Sequence, residues 1–102
     1  VSYSEIRSVN FFKLLLNAVR IIEAGPNPFE SHINVKYSNE KDGEVLIQLI
    51  STQGVVVHQE KIQASKGENH YLFTNGDSFQ PGIYMLKMIT EDSNDIKKLI
   101  KK

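Results

Sequence analysis

Pro81-Gly82 leads directly into Ile83-Tyr84-Met85-Leu86-Lys87-Met88-Ile89, and this junction limits the fold more than any other stretch of the chain. Proline fixes its own φ and glycine accepts backbone angles other residues avoid, so the dipeptide ends whatever precedes it and launches a β-prone run. Along that run Tyr84, Leu86 and Met88 share one parity, while Ile83, Met85, Lys87 and Ile89 share the other. Both parities are largely apolar, the pattern of a central strand covered on both faces. The expectation is a β-sandwich built around residues 83–89.

Composition bounds the rest. With 102 residues, 40% of them hydrophobic, the chain can bury one core and one only. Lys+Arg and Asp+Glu both number 12, giving a net charge of zero. No global field is available to hold a polyanion, and no basic patch is interleaved with aromatics, so nucleic-acid binding is not expected. The absence of Cys removes disulfides, thiolate chemistry and most structural zinc sites together. The longest apolar run, residues 11–22, is interrupted by Lys13, Asn17 and Arg20 and is too short to span a bilayer, so no transmembrane segment is expected. It also lacks the charged start and small-residue cleavage site of a signal peptide, and no Met opens the chain, which therefore reads as a piece of a longer protein.

Taken in order, residues 1–11 place Tyr3, Val9 and Phe11 on one parity and read as a strand, the last of a preceding domain. Phe12, Leu15, Leu16, Val19 and Ile22 then fall at helical spacing, but a polar face of only Lys13, Asn17 and Arg20 argues against a membrane or partner helix. The reading is a linker, with 12–20 the candidate cleavage stretch. That divides the chain into residues 1–18, end of a domain plus linker, and residues 19–102, a sandwich domain. Its first strand is expected over 19–24. Pro26 and Pro28 bracket Asn27, deny two donors to any ladder and make a rigid corner. Strands over 32–37, 44–51, 55–62, 70–74, 83–89 and 95–101 follow, separated by turn chemistry such as Asp42-Gly43, Gln53-Gly54 and Asn75-Gly76. About seven short strands in about 80 residues, with no convincing helix, indicate an all-β fold, a small antiparallel immunoglobulin-like β-sandwich.

Catalytic chemistry finds no support. His32, His58 and His70 lie on separate segments without metal-ligand spacing. No nucleophile elbow or phosphate-binding glycine loop is present. Asp92-Ser93-Asn94-Asp95 begins like a calcium loop, but Ile96 and Lys97 stand where a ligand and the turn glycine belong. The chain reads as non-enzymatic and cofactor-free. Tyr71 and Phe73 share one strand face: exposed, they would form the stacking platform of an adhesion module, and buried, they would belong to a core.

Four segments recur in a recognisable order: Pro26-Asn27-Pro28-Phe29, then Ile50-Ser51-Thr52-Gln53-Gly54-Val55-Val56-Val57, then Pro81-Gly82-Ile83-Tyr84-Met85-Leu86, then Lys97-Lys98-Leu99-Ile100-Lys101-Lys102. Over residues 20–102 this order resembles the C-terminal sorting domain (type A) of the type IX secretion system of Bacteroidetes-type bacteria. Residues 3–11 are similar to the strand that often precedes that domain. Ala24-Gly25 departs from the family, which more often has an aromatic or aliphatic residue directly before Pro-Asn-Pro.

The resemblance implies a targeting role. A cargo upstream would be recognised in the periplasm by the type IX translocon, cross the outer membrane, and be released from the domain by an outer-membrane sortase that attaches it to the surface. It assigns recognition to Pro26, Asn27 and Pro28, to Gly82 and Tyr84, and to Lys98, Leu99, Lys101 and Lys102. In physical terms Lys101 and Lys102 would be a mobile cationic tag behind a last strand that a receptor adds to its own sheet. The plainer role for Lys97, Lys98, Lys101 and Lys102 is as solubilising charges that block edge-to-edge pairing, and self-association through an edge strand stays open. The competing function is a cell-surface carbohydrate- or protein-binding adhesion module.

Overall fold

The computed structural model describes residues 18–102. The strand expected over residues 1–11 and positions 12–17 of the expected linker lie outside the described residues. Seven strands follow: β1 Arg20–Gly25, β2 Ile33–Asn39, β3 Gly43–Ser51, β4 Val56–Ala64, β5 Gly67–Phe73, β6 Gly82–Ile89 and β7 Asn94–Lys101, with one 3₁₀ turn at Gly76–Ser78. They form a three-stranded sheet, β1-β2-β5, and a four-stranded sheet, β4-β3-β6-β7. Every strand pair is antiparallel. The all-β sandwich expected from the alternation is the fold observed.

Alternation decides what is buried. Val45, Ile47 and Leu49 of β3, Tyr84, Leu86 and Met88 of β6, and Leu99 of β7 face Ile33, Val35 and Tyr37 of β2 and Phe73 of β5, with Phe29 from the β1–β2 connection between the sheets. One register shift in β1, between Ile21 and Glu23, turns Ile22 outward.

One expectation is corrected. Residues 83–89 do form a central strand, but only one face of it is covered. Ile83 and Met85 are exposed, and Lys87 and Ile89 are half-buried. The second apolar parity of β6 lies on the open outer face of the four-stranded sheet.

The two sheets meet along two seams. On the β4–β5 side the Tyr71 hydroxyl donates to Glu60 Oε1 at 2.8 Å and lies 3.4 Å from His58 Nε2. The His58 ring lies tilted against Phe73, with centroids 4.7 Å apart. Phe73 is thus core and Tyr71 is half-buried against it, so the two rings make no exposed platform. Burial first, then the hydrogen bond to and negative charge of Glu60, push the Tyr71 phenol well above its ordinary range. A tyrosine whose folded pKa is raised releases its proton more readily from the unfolded chain, so its contribution is intact below the unfolded value and fades as pH rises from there toward the folded one. Chemical denaturation of the wild type and of Tyr71→Phe is expected to show the wild-type advantage constant near neutral pH and shrinking above about pH 10. An advantage independent of pH would refute this account of the seam.

Candidate functional site

The segments singled out in the sequence lie far apart along the chain and converge in space. Pro26 and Pro28 remove two backbone donors from the corner after β1, so Asn27 supplies the bonding through its side chain. Its Oδ1 accepts from the Ile100 amide at 2.8 Å, and its Nδ2 reaches the Lys98 carbonyl at 3.5 Å. Phe29 then continues with its backbone. Its N–H donates to the Ile100 carbonyl at 2.8 Å, and its carbonyl accepts from the Lys102 amide at 2.9 Å. Positions 27–29 therefore run beside the edge of β7 that faces away from β6, and Phe29 and Lys101 form a parallel bridge.

The same side of the sandwich is tied further along. Ile21 donates its amide to Asp95 Oδ2 at 2.8 Å, and Val19 donates to Ser93 Oγ at 3.0 Å. This second seam joins the sheets through bonds between groups more than 70 residues apart in sequence.

Phe29 also carries the corner into the core. Its ring is fully buried and meets Tyr84 edge-on at 6.3 Å and 60°. Phe79 lies between Tyr84 and Phe73, with centroids at 5.2 and 5.5 Å. The Tyr84 hydroxyl donates to the Gln80 carbonyl at 2.6 Å, which fixes the Gln80-Pro81-Gly82 turn. Gly82 has φ +148°, a region closed to most side chains, and opens β6 opposite Lys101. Tyr84 and Leu99 are directly opposite in the ladder. The Pro-Asn-Pro corner, the Gly-x-Tyr strand start and the terminal lysine motif are thus one packed unit.

Within that unit the candidate residues differ in what they present. Leu99 is 0% exposed and Tyr84 is buried, so both act through packing. Lys98 points out from the open face of the sheet opposite Met85, Lys101 is half-buried in the ladder, and Lys102 is exposed with its ammonium 3.2 Å from Glu30. An exposed ion pair of that kind adds little to stability. The lysines are not the mobile tag expected from the sequence: Lys101 pairs with Gly82, and the Lys102 amide is held by Phe29. Nor is β7 a bare edge, because residues 27–29 occupy the end of it that carries the lysines.

Gly76 is the residue that sequence reasoning passed over. It reads locally as half of an Asn75-Gly76 turn, yet it is buried, and its amide donates to the Ser31 carbonyl at 2.8 Å. A Cβ there would meet that carbonyl oxygen at 2.8 Å and the Phe29 ring at 3.2 Å. The position holds Phe29 in place from behind.

Asn27→Ala removes the two side-chain bonds to β7 and is expected to cost about 1–2 kcal/mol in urea denaturation. The Ile100 amide should exchange with solvent faster, and amides in the middle of β3 should not. Gly76→Ala is expected to cost about 1–3 kcal/mol, because the clash is with backbone and a buried ring that cannot both yield. A neutral Gly76→Ala would show that Phe29 is not wedged as described.

A family model described as a secretion system C-terminal sorting domain matches residues 25–102, from the corner through the last strand. A search of curated proteins returned no match. The matched span contains the corner, the Gly-x-Tyr start and the terminal motif that the fold packs together. This chain therefore belongs to the secretion system C-terminal sorting domain family, and its matched unit is the signal that sends an attached protein out through the type IX secretion system, to the cell surface or the medium.

Proposed function

We propose that the domain carries its cargo through the periplasm as a folded tag, is engaged there by the type IX translocon, and is afterwards removed by an outer-membrane sortase that cuts within residues 12–20 and leaves the cargo on the surface. In this reading the domain performs no chemistry itself. The observation that carries it is the fusion of three separated motifs into one unit through Asn27, Phe29 and β7, so that the lysines are offered only when the sandwich is folded. Pro26, Asn27, Pro28, Gly82, Tyr84 and Leu99 build the platform, and Lys98, Lys101 and Lys102 are the groups read from it, by acidic residues of the translocon. Self-pairing through the capped end of β7 is disfavoured in this arrangement, and the other sheet edges are β1, β4 and β5.

An adhesion role has no comparable support, because Phe73 lies in the core and Tyr71 is half-buried against it, so the two rings make no exposed platform.

The test is a fusion of residues 1–102 behind a fluorescent protein delivered to the periplasm of a bacterium with a type IX system. Removing residues 99–102 would abolish export ambiguously, since it also deletes buried Leu99 and the Phe29 bonds. The informative variant is Lys101→Ala with Lys102→Ala, which keeps the buried leucine. The intact fusion is expected at the surface or in the medium with its cut end, read by mass spectrometry, inside residues 12–20. The double variant is expected to stay in the periplasm with an unchanged thermal midpoint. Full export of a folded double variant would remove the lysines from recognition.

A further inference from the structure

The two outer faces of the sandwich are unlike each other. On the three-stranded sheet the outward positions are mostly polar and of both signs, Glu23, Asn34, Lys36, Ser38, Glu68 and His70, with Lys36 and Glu68 paired at 3.6 Å. Among the described residues only Leu72, and Ile22 at the register shift, are large and apolar there.

The four-stranded sheet presents the opposite. Residues directly opposite in an antiparallel ladder share a face, so the register places Val56, Ile50, Met85 and Lys98 in one row across all four strands. Ile83 and Ile100 form the adjacent pair, and Gln59, Gln48, Lys87 and Ile96 the next row. The hydrogen bond from Gln48 Nε2 to Gln59 Oε1, 2.9 Å, lies on this same face. Val56, Ile83, Met85, Ile96 and Ile100 are between 36% and 48% exposed. Such a continuous apolar band is what a soluble domain normally covers, and when left bare it marks an interaction surface.

Charge says what covers it. Among the described residues the cations on the face are Lys61, Lys87 and Lys98, and the one anion, Glu44, stands at the far end of β3 from the exposed pairs. Two copies of the domain placed face to face would bring Lys87 and Lys98 against lysines, at a cost in repulsion. We propose that this face docks against an apolar protein surface rimmed with carboxylates, belonging to the secretion machinery, with Ile83, Met85 and Ile100 as the buried anchors and Lys87 and Lys98 as the charges that set the register. The inference rests on the sorting role and extends the lysine end, through Lys98 and Ile100 of β7, into a surface that crosses the four-stranded sheet. A buried centre of a few large apolar side chains inside a charged rim is the arrangement in which most binding energy resides.

The experiment uses the same fusion of residues 1–102, with outward substitutions that leave the core intact. Met85→Gln with Ile100→Thr removes the anchors, and Lys87→Glu with Lys98→Glu reverses the rim without touching apolar packing. Each pair is expected to lower export by about tenfold or more, the effect of losing interface hot spots. Circular dichroism and the thermal midpoint should remain as in the wild type. Leu72→Gln with Lys36→Glu, on the other sheet, is the control expected to export normally. Wild-type export by folded Met85→Gln/Ile100→Thr and Lys87→Glu/Lys98→Glu proteins overturns the docking face while leaving the sorting role standing. Failure of the unmodified fusion to leave the periplasm overturns the sorting role and the docking face with it. If sedimentation shows a dimer of residues 1–102 that Met85→Gln with Ile100→Thr dissolves without loss of export, the face pairs copies and the proposal is wrong.

Discussion

The bond between the Asn27 side chain and the backbone of β7 is the interaction that closes the β1–β7 side of this sandwich. A sandwich of three and four strands needs its sheets joined at the sides, and here the β1–β7 side has no shared ladder to do so. Two prolines strip the corner of donors, and Asn27, the residue between them, restores a donor and an acceptor at the spacing a strand would have offered. Once Asn27 is seated, Phe29 follows with its own N–H and C=O, and its ring enters the core against Tyr84. Asp95 and Ser93 extend the closure down β1. Each bond is worth about 1 kcal/mol net, so the seam is held by the set of them together with the burial of Phe29.

That arrangement explains which parts of the fold were legible in the sequence. Period-two alternation fixes which of Val45, Ile47, Leu49, Tyr84, Leu86 and Met88 face inward, because a strand covered on at least one side must obey it, and the turn residues mark where each strand stops. Alternation cannot say whether a second apolar parity is covered. Ile83 and Met85 look the same in a sequence whether another layer lies over them or solvent does, and the expectation of a strand buried on both sides failed for that reason. The seam left still less trace. Asn27 and Ile100, or Gly76 and Ser31, are joined by single contacts without periodicity, and no local rule connects them. The order of motifs, known only by resemblance, pointed to the right residues without revealing that they touch.

A neutral chain can still be strongly polarised on its surface. The zero net charge of the sequence rules out a field acting at long range, but it does not bear on how charges are distributed among faces. One outer face is balanced and polar. The other is apolar, with three lysines and one distant glutamate among the described residues. Short-range complementarity is what such a face offers, and it operates within about a Debye length, roughly 8 Å in physiological salt. This favours recognition after encounter over steering from a distance.

The pleat of β7 divides labour within a single strand. Leu99 turns inward opposite Tyr84 and cannot be altered without opening a cavity, at about 2–5 kcal/mol for truncation to alanine. Lys98 and Ile100, one position to either side, turn outward and hold the core only through their backbones. The backbone at 98–102 in turn spends its outer bonds on Asn27 and Phe29. A partner that reads outward side chains of this strand therefore reads residues free to vary for recognition, supported by neighbours that are not. Deleting the segment tests both functions at once and separates neither. Alternate substitution along the strand separates them because the geometry already has.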